Sequence, residues 1–153
     1  MKTRQLLFII ATFAASLFTL QANAKIWRVN NTSNYNGTTL WGENLGGSSS
    51  NPVFAQLENA NQSNLVSVNG VDTLHVEGTN INYDGLNFRK QVIVIGTGYF
   101  LNENPDVSNT VMEAAVSYIN FDAGSDGSQV IGVHIFGTYG IAIDVNNIVV
   151  KRC

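Results

Sequence analysis

The chain has 153 residues, with eleven acidic against eight basic side chains and a formal net charge of -3. This acidity argues against nucleic-acid binding, which relies on Lys and Arg side chains that neutralise phosphates. The length suits one domain rather than two, and the single cysteine, Cys153, excludes an intramolecular disulfide.

Residues 1–24 have the pattern of a secretory signal peptide. Lys2 and Arg4 precede an uncharged stretch over residues 6–20, and the small-residue pattern Ala22-Asn23-Ala24 follows. The apolar stretch is shorter than the ~20 residues that a membrane-spanning helix needs. We therefore predict cleavage after Ala24, no membrane span after cleavage, and a secreted, periplasmic or cell-surface protein.

The predicted mature chain, residues 25–153, is rich in turn-forming residues. It has 19 Asn and 14 Gly, and its six basic residues against eleven acidic ones give a formal charge of -5. Helices disfavour Gly, which adds backbone entropy, and Asn, which competes for backbone hydrogen bonds. Tight turns favour both. The composition therefore indicates β-structure with many turns.

Residues 25–71 are predicted to form an N-terminal strand, a loop and a capping helix. An apolar strand over Ile26–Val29 leads into a polar, irregular stretch over residues 30–50. Asn51-Pro52 is typical of a helix N-terminus, and apolar residues follow at helical spacing: Val53, Leu57 and Ala60. Such a helix would cover the end of a stack of strands.

Residues 72–153 contain Val/Ile-rich strands that recur behind Gly, Asn and Asp turns. The strand segments begin at Asp72, Lys90, Ser117, Gln129 and Asn147, the fourth being a single run, QVIGVHIFG. By inspection, Val92 aligns with Leu74 at an offset of 18 residues, and Ile141 aligns with Ile119 at an offset of 22. Offsets of this size suit one coil of a solenoid. We predict an all-β fold, a parallel β-helix, whose right hand follows from the general crossover rule.

Two further expectations concern the architecture. A β-sandwich is the alternative, but it would need hairpin turns, and Asn69-Gly70 is the most hairpin-like dipeptide in the strand-rich region. The chain stops inside a strand pattern without a capping element, so we expect coils truncated at the C-terminus. The open edge would then allow self-association.

Three segments carry a resemblance to a known group: NGVDTLHVEGT from Asn69, KQVIVIGTGYFLNENP from Lys90 and FDAGSDGSQVIGVHI from Phe121. They resemble secreted right-handed parallel β-helix proteins of the pectate-lyase-like superfamily from Bacteroidetes-type bacteria. This chain departs from the group's pattern at Val71, where Gly is common, and at Thr97, where Pro often occurs. The group includes polysaccharide-degrading enzymes, adhesins and other surface proteins, so the resemblance implies a fold rather than one activity.

The strongest candidate for metal binding is the turn that contains Asp122 and Asp126, two carboxylates four residues apart before a Gly. Calcium prefers six to eight oxygen ligands, and Val133 stands where a calcium loop would place its last glutamate. A plain Asx-type turn explains the same residues. No cofactor is expected, with weak calcium binding as the exception.

Other polar residues lack a catalytic arrangement. His75 and His134 are expected to face outward without a metal set, and Gly96-Thr97-Gly98 reads as a turn rather than a phosphate-binding loop. Four outward basic residues are candidates for proton abstraction: Arg89, Lys90, Lys151 and Arg152. No carboxylate cluster is expected to align with Arg89.

We therefore expect a non-catalytic, scaffold-like or adhesin-like module that binds extracellular polysaccharide through exposed Asn, Tyr and Trp side chains. The alternative is the N-terminal part of a polysaccharide lyase or glycoside hydrolase. In the resembling enzymes, lyases use calcium-binding carboxylates with a basic residue. Glycosidases instead use paired carboxylates at a defined separation.

Overall fold

The computed structural model describes residues 24–67, 71–98 and 112–153. The predicted signal peptide, apart from Ala24, lies outside the described residues. The strands are β1 (Ile26–Val29), β2 (Val53–Phe54), β3 (Asp72–Val76), β4 (Leu86–Phe88), β5 (Val92–Ile95), β6 (Ala115–Val116), β7 (Ile119–Phe121), β8 (Gln129–Ile131), β9 (His134–Ile135), β10 (Ile141–Ile143) and β11 (Val149–Lys151). A helix, α1 (Leu57–Gln62), and a 3₁₀ turn (Glu43–Leu45) accompany them.

The strands form three sheets in which every described strand pair is parallel. The large sheet has six strands in the order β11-β8-β5-β3-β1-β2, the small sheet has three in the order β10-β7-β4, and β6 pairs with β9. The prediction of an all-β fold is confirmed. The β-sandwich alternative is wrong, because its hairpins would have produced antiparallel pairs.

The chain visits the sheets in a repeating order. Strands β6, β7 and β8 enter the two-stranded, small and large sheets in turn, and β9, β10 and β11 then enter the same three sheets in the same order. Each strand of the second set pairs with its counterpart in the first. Two successive passes of the chain are therefore in contact along all three sheets.

The register confirms one predicted alignment and corrects the other. Ile141 pairs with Ile119, the predicted offset of 22 residues. In the large sheet Val94, not Val92, pairs with Leu74, so the offset is 20 residues rather than 18. A shift of two residues leaves every side chain on the same face. Alternation alone could not distinguish the two registers.

The core lies between the inner faces of the sheets, and alternate residues of each strand supply it. In β3, Leu74 and Val76 are fully buried while His75 between them is exposed. In the small sheet, the rings of Phe88 and Phe121 stack with centroids 5.6 Å apart. Burial of such side chains supplies most of the driving force for folding.

One predicted strand is two strands in the structure. The run from Gln129 divides into β8 and β9, which belong to different sheets. Gly132 lies between them with φ 66°, a left-handed conformation that residues with a Cβ rarely adopt. The glycine therefore turns the chain from the large sheet to the two-stranded sheet.

The predicted helix begins later than its sequence signals indicated. Asn51-Pro52 does not start a helix, because Val53 and Phe54 form β2, in which Phe54 pairs with Val29 of β1. The helix starts at Leu57, where the backbone N–H of Gln56 donates to Asn59 Oδ1 over 3.0 Å. Strand pairing and burial of Phe54 thus outweigh the local helix signal.

Some apolar side chains remain exposed along β10 and β11, which lie at sheet edges. Ile143 is 50% and Val150 41% exposed, whereas their paired residues Phe121 and Val130 are fully buried. Self-association at this edge stays a prediction. Within the described ranges, no helix is both long and apolar enough to cross a membrane.

Candidate functional site

The outer face of the small sheet carries a row of small and amide side chains. Leu86 and Phe88 of β4 point inward, so Asn87 between them points outward, and the register places Asn120 and Ala142 beside it. Asn120 Nδ2 donates to Asn87 Oδ1 over 2.7 Å. Each amide keeps donors or acceptors that this bond does not use.

Two tyrosines flank the amide row. The rings of Tyr118 and Tyr139 meet edge to face, with centroids 6.1 Å apart and planes at 80°. The Tyr118 ring lies directly over Gly85, where an added Cβ would approach ring atom Cδ1 to 2.1 Å. Only glycine at position 85 allows this ring position. Tyr139 is 82% exposed, the largest exposure among the exposed large apolar side chains of the described ranges.

Together these side chains line an open groove of about 400 Å³, formed by Tyr118, Asn120, Tyr139 and Ala142. Aromatic rings with a polar edge offer both apolar contact and hydrogen bonding. The side-chain amide adds a donor and an acceptor. The groove is therefore suited to a ligand that offers an apolar face beside a hydrogen-bonding group.

A row of charged residues continues from the same face where the three strands end. Arg89, Asp122 and Asp144 each follow the last residue of their strand. The backbone N–H of Asp122 donates to Phe88 O over 2.9 Å, and that of Asp144 donates to Phe121 O over 3.1 Å, so the three stand in register. Arg89 Nε lies 3.7 Å from Asp122 Oδ2. Two carboxylates, Asp122 and Asp144, thus stand in register with Arg89, and Asp122 contacts it.

The two predicted calcium ligands have separate partners. Asp122 faces Arg89, while Asp126 Oδ1 accepts a hydrogen bond of 3.2 Å from the backbone N–H of Asn146. The backbone carbonyl of Asp122 accepts hydrogen bonds from Ser125, as expected of a turn. Across the described ranges, no three His, Cys, Asp or Glu side chains form a group that could hold a metal ion. Calcium binding stays a prediction.

Both histidines are exposed, as predicted, but they lie in different sheets. His134 Nδ1 lies 2.7 Å from Glu113 Oε2. The sequence did not indicate this pair, since Glu113 precedes β6 in the neighbouring pass of the chain. Neither histidine lies in the groove.

Lys90 is not an outward base. Its Nζ donates to the carbonyl of Ser63 over 2.6 Å and to that of Val66 over 3.3 Å. Burial lowers the pKa of the Lys90 ammonium, opposed by the charge of Asp72. Lys151 and Arg152 are exposed and lie at and beyond the end of β11.

The glycine segment after β5 is a turn, as predicted. Gly98 has φ 97°, and Thr97 Oγ1 accepts a hydrogen bond from the backbone N–H of Ala114 over 3.1 Å. An added Cβ at Gly96 would lie 2.3 Å from Gly132 O, so the turn depends on close backbone approach.

Both tryptophans pack against other aromatic rings, Trp27 buried and Trp41 half-buried. Trp27 is 3% exposed and packs against Phe54, with ring centroids 5.9 Å apart. Trp41 stacks on Tyr35 at 5.0 Å. Both rings therefore pack within the N-terminal region, and glycan binding by Trp side chains stays a prediction.

The groove tyrosines were not singled out from the sequence, although a signal was present. The correct alignment of Ile119 with Ile141 places Tyr118 beside Gly140. Tyr139 directly precedes Gly140, so the two tyrosines are neighbours. The outward positions of the aligned strands therefore indicated a cluster of these side chains.

A comparison with known proteins found no matching family model, no matching curated protein and no matching solved structure.

Proposed function

We propose that the chain is an exported, right-handed parallel β-helix module of the pectate-lyase-like superfamily. The support for a β-helix is the repeated order in which β6 to β8 and then β9 to β11 join the same three sheets. Parallel strands joined by crossovers are almost always right-handed. The superfamily assignment rests on the sequence segments that resemble that group.

We propose further that the module is a non-catalytic scaffold or adhesin that binds extracellular polysaccharide in the groove of the small sheet. The observation that supports this proposal is the placement of two tyrosine rings, the exposed Tyr139 and the half-buried Tyr118, beside the paired amides. Tyr118 and Tyr139 would contact the C–H faces of sugar rings, and Asn120 would hydrogen bond to hydroxyl groups. The open groove suits a chain that passes through it.

The test is the binding of neutral and uronate polysaccharides, measured by affinity electrophoresis and calorimetry. Tyr139→Ala is expected to weaken binding by at least about tenfold, or ~1.4 kcal/mol, with little change in stability because the side chain is exposed. Ile95→Ala is the control, since Ile95 is also exposed but lies in the large sheet. Absence of binding to any polysaccharide, or equal binding by the Tyr139 variant, would refute the proposal.

A second candidate, a polysaccharide lyase or glycoside hydrolase, is favoured by the row of Arg89, Asp122 and Asp144. Neighbouring strands are about 4.8 Å apart, so carboxylates in successive strands can approach the ~5–5.5 Å separation that retaining glycosidases use. The arginine would serve as the basic group of a lyase.

Enzyme activity is tested by the release of reducing ends, for a hydrolase, and of unsaturated uronates, for a lyase. If the charged row is catalytic, Asp144→Asn abolishes turnover while Asp126→Asn, a nearby carboxylate outside the row, retains it. Binding without turnover would leave the scaffold function as the explanation. Turnover that both variants retain would exclude the charged row.

A further inference from the structure

Asp72 is a buried carboxylate at the start of β3, with 1% of its surface exposed. Its Oδ1 accepts a hydrogen bond of 2.8 Å from the backbone nitrogen of Lys25. Its Oδ2 accepts two more, each of 2.8 Å, from Trp27 Nε1 and the backbone N–H of Ser67. All three donors are neutral groups in the uncleaved chain.

Among the residues that the structure describes, no cation contacts the Asp72 carboxylate directly. Within the described ranges its carboxylate forms no ion pair, and the Lys90 ammonium nearby is directed at the carbonyls of Ser63 and Val66. A buried charge without a counter-charge is costly even when it is hydrogen bonded. A positive charge at one of the three donors would reduce that cost.

Lys25 forms contacts through its backbone carbonyl and its side chain as well as through its backbone nitrogen. Its carbonyl accepts a hydrogen bond from the backbone N–H of Thr73 over 2.8 Å. Its Nζ donates to Ser50 O over 2.8 Å and lies 3.7 Å from the centroid of the Trp27 ring. Ala24, by contrast, is exposed. The peptide bond between Ala24 and Lys25 thus separates an exposed residue from one whose backbone nitrogen, carbonyl and Nζ all form contacts.

We propose that Asp72 is the receptor for a new N-terminus created by cleavage after Ala24. In this hydrolysis the Ala24 carbonyl carbon gains the hydroxyl of water, and the Lys25 nitrogen gains a proton. The proton released by the new Ala24 carboxyl group converts that nitrogen to an ammonium. An α-amino group has an ordinary pKa of about 8 and is mostly protonated at neutral pH. The ammonium takes the place of that backbone nitrogen, 2.8 Å from Asp72 Oδ1, and forms an ion pair with the buried carboxylate.

This proposal rests on the predicted export signal and is independent of polysaccharide binding. Its consequence is that removal of the signal peptide stabilises the fold. The precursor has an amide donor where the mature chain has a charged one, and charge-assisted hydrogen bonds are roughly twice as strong as neutral ones. The full fold stability would then be reached after export.

The test begins with the full chain produced in an exporting bacterial host, where the intact mass of the product is expected to show a start at Lys25. The mature form is then compared with a form that keeps Ala24 as its first residue. The extension retains the backbone hydrogen bond but moves the charge one residue away. We expect the extended form to melt roughly 3–8 °C lower.

The matched control repeats this pair with Asp72→Asn, which removes the charge and keeps one acceptor oxygen, while its amide nitrogen replaces the other oxygen. In the Asp72→Asn variant, the melting temperatures of the forms that begin at Lys25 and at Ala24 should differ by less than about 1 °C. A product that starts elsewhere, equal melting of the two starts, or a difference that persists in the asparagine variant would overturn the proposal.

A second measurement uses only the unmutated mature protein, in case the asparagine variant does not fold. The α-amino group of Lys25 is expected to react with an acylating reagent at least tenfold more slowly in the native protein than in denaturant. Fragment-ion mass spectrometry of the N-terminal peptide distinguishes acylation of the α-nitrogen from acylation of Lys25 Nζ, and the exposed lysine, Lys151, reports the activity of the reagent. Equal rates in the native and denatured protein would show that the N-terminus is free and would also overturn the proposal.

Discussion

The two faces of the small sheet are built from alternate residues of the same strands, yet they depend on different interactions. On the inner face, Phe88 stacks on Phe121 and both are fully buried. On the outer face, Asn87 and Asn120 share one hydrogen bond beside the ring of Tyr118. The inner face therefore determines stability, and the outer face carries the side chains that are available to a ligand. Substitutions can separate the two.

The largest effect is expected from Phe121→Ala, which opens a cavity on the inner face. Removal of a fully buried phenylalanine costs about 3–5 kcal/mol of unfolding free energy, from lost burial and from the cavity. Urea denaturation followed by circular dichroism measures this loss. A loss below about 1 kcal/mol would show that the stacked rings do not hold the sheet, and the distinction between the faces would fail.

Gly85→Ala is expected to have the next largest effect, because it should change both the stability of the fold and the position of a groove residue. The new Cβ would lie 2.1 Å from the Tyr118 ring, which must move off β4. We expect a loss of about 1–3 kcal/mol from overpacking and a loss of polysaccharide binding. The double variant with Tyr118→Ala removes the clash and should recover stability but not binding. If stability does not recover, the loss comes from the backbone at residue 85 and not from the clash with Tyr118.

Much of the fold could be predicted from the alternation of apolar and polar residues. The errors of that prediction have physical reasons. Strand β1 was predicted with its observed limits, and β3 was recognised from its buried Leu74 and Val76. The 18-residue offset was wrong because a shift of two residues preserves every inward position. The division between β8 and β9 was missed because apolar residues continue through Gly132, whose conformation no composition rule revealed.

The candidate site was less accessible from the sequence. The groove depends on residues from β7 and from the turn before β10, and no local motif connects Tyr118 to Tyr139. The close approach of Tyr118 to Gly85 arises from residues 33 positions apart in the sequence, as does the pairing of Asn87 with Asn120. Tertiary contact of this kind requires the register to be known first.

Asn120→Ala is expected to have a smaller effect on stability. The change removes the hydrogen bond to Asn87, but both side chains are half-buried and water can replace the partner, so the cost is about 0.5–1 kcal/mol. Alanine already occupies the paired position 142 in β10, so the backbone accepts it there. Calorimetry should nevertheless detect weaker polysaccharide binding. Unchanged binding would remove the amide row from the site.

The smallest effect is expected from Glu77→Gln, which tests an ion pair next to the large sheet. Glu77 follows β3 and accepts hydrogen bonds from Arg28 and from Asn30 Nδ2, the latter over 2.7 Å. Burial acts to raise the pKa of Glu77, but the hydrogen bonds from Arg28 and Asn30, with the charges of Arg28 and His75, outweigh it and lower that pKa below its usual value.

Because the folded-state pKa of Glu77 is lower than the unfolded one, the ionised carboxylate stabilises the fold at and above the ordinary Glu pKa of about 4.3. That contribution disappears as the pH falls through the folded-state pKa. Since the Arg28 side chain is 44% exposed, solvent screening limits the contribution to below about 1 kcal/mol. Urea denaturation between pH 3 and 7 should show that Glu77→Gln lowers stability near pH 7 and narrows its difference from the unmodified protein toward pH 3. Glu43→Gln, at an exposed glutamate, is the control; an equal response of both variants would mean that the Arg28 contact adds nothing to the fold.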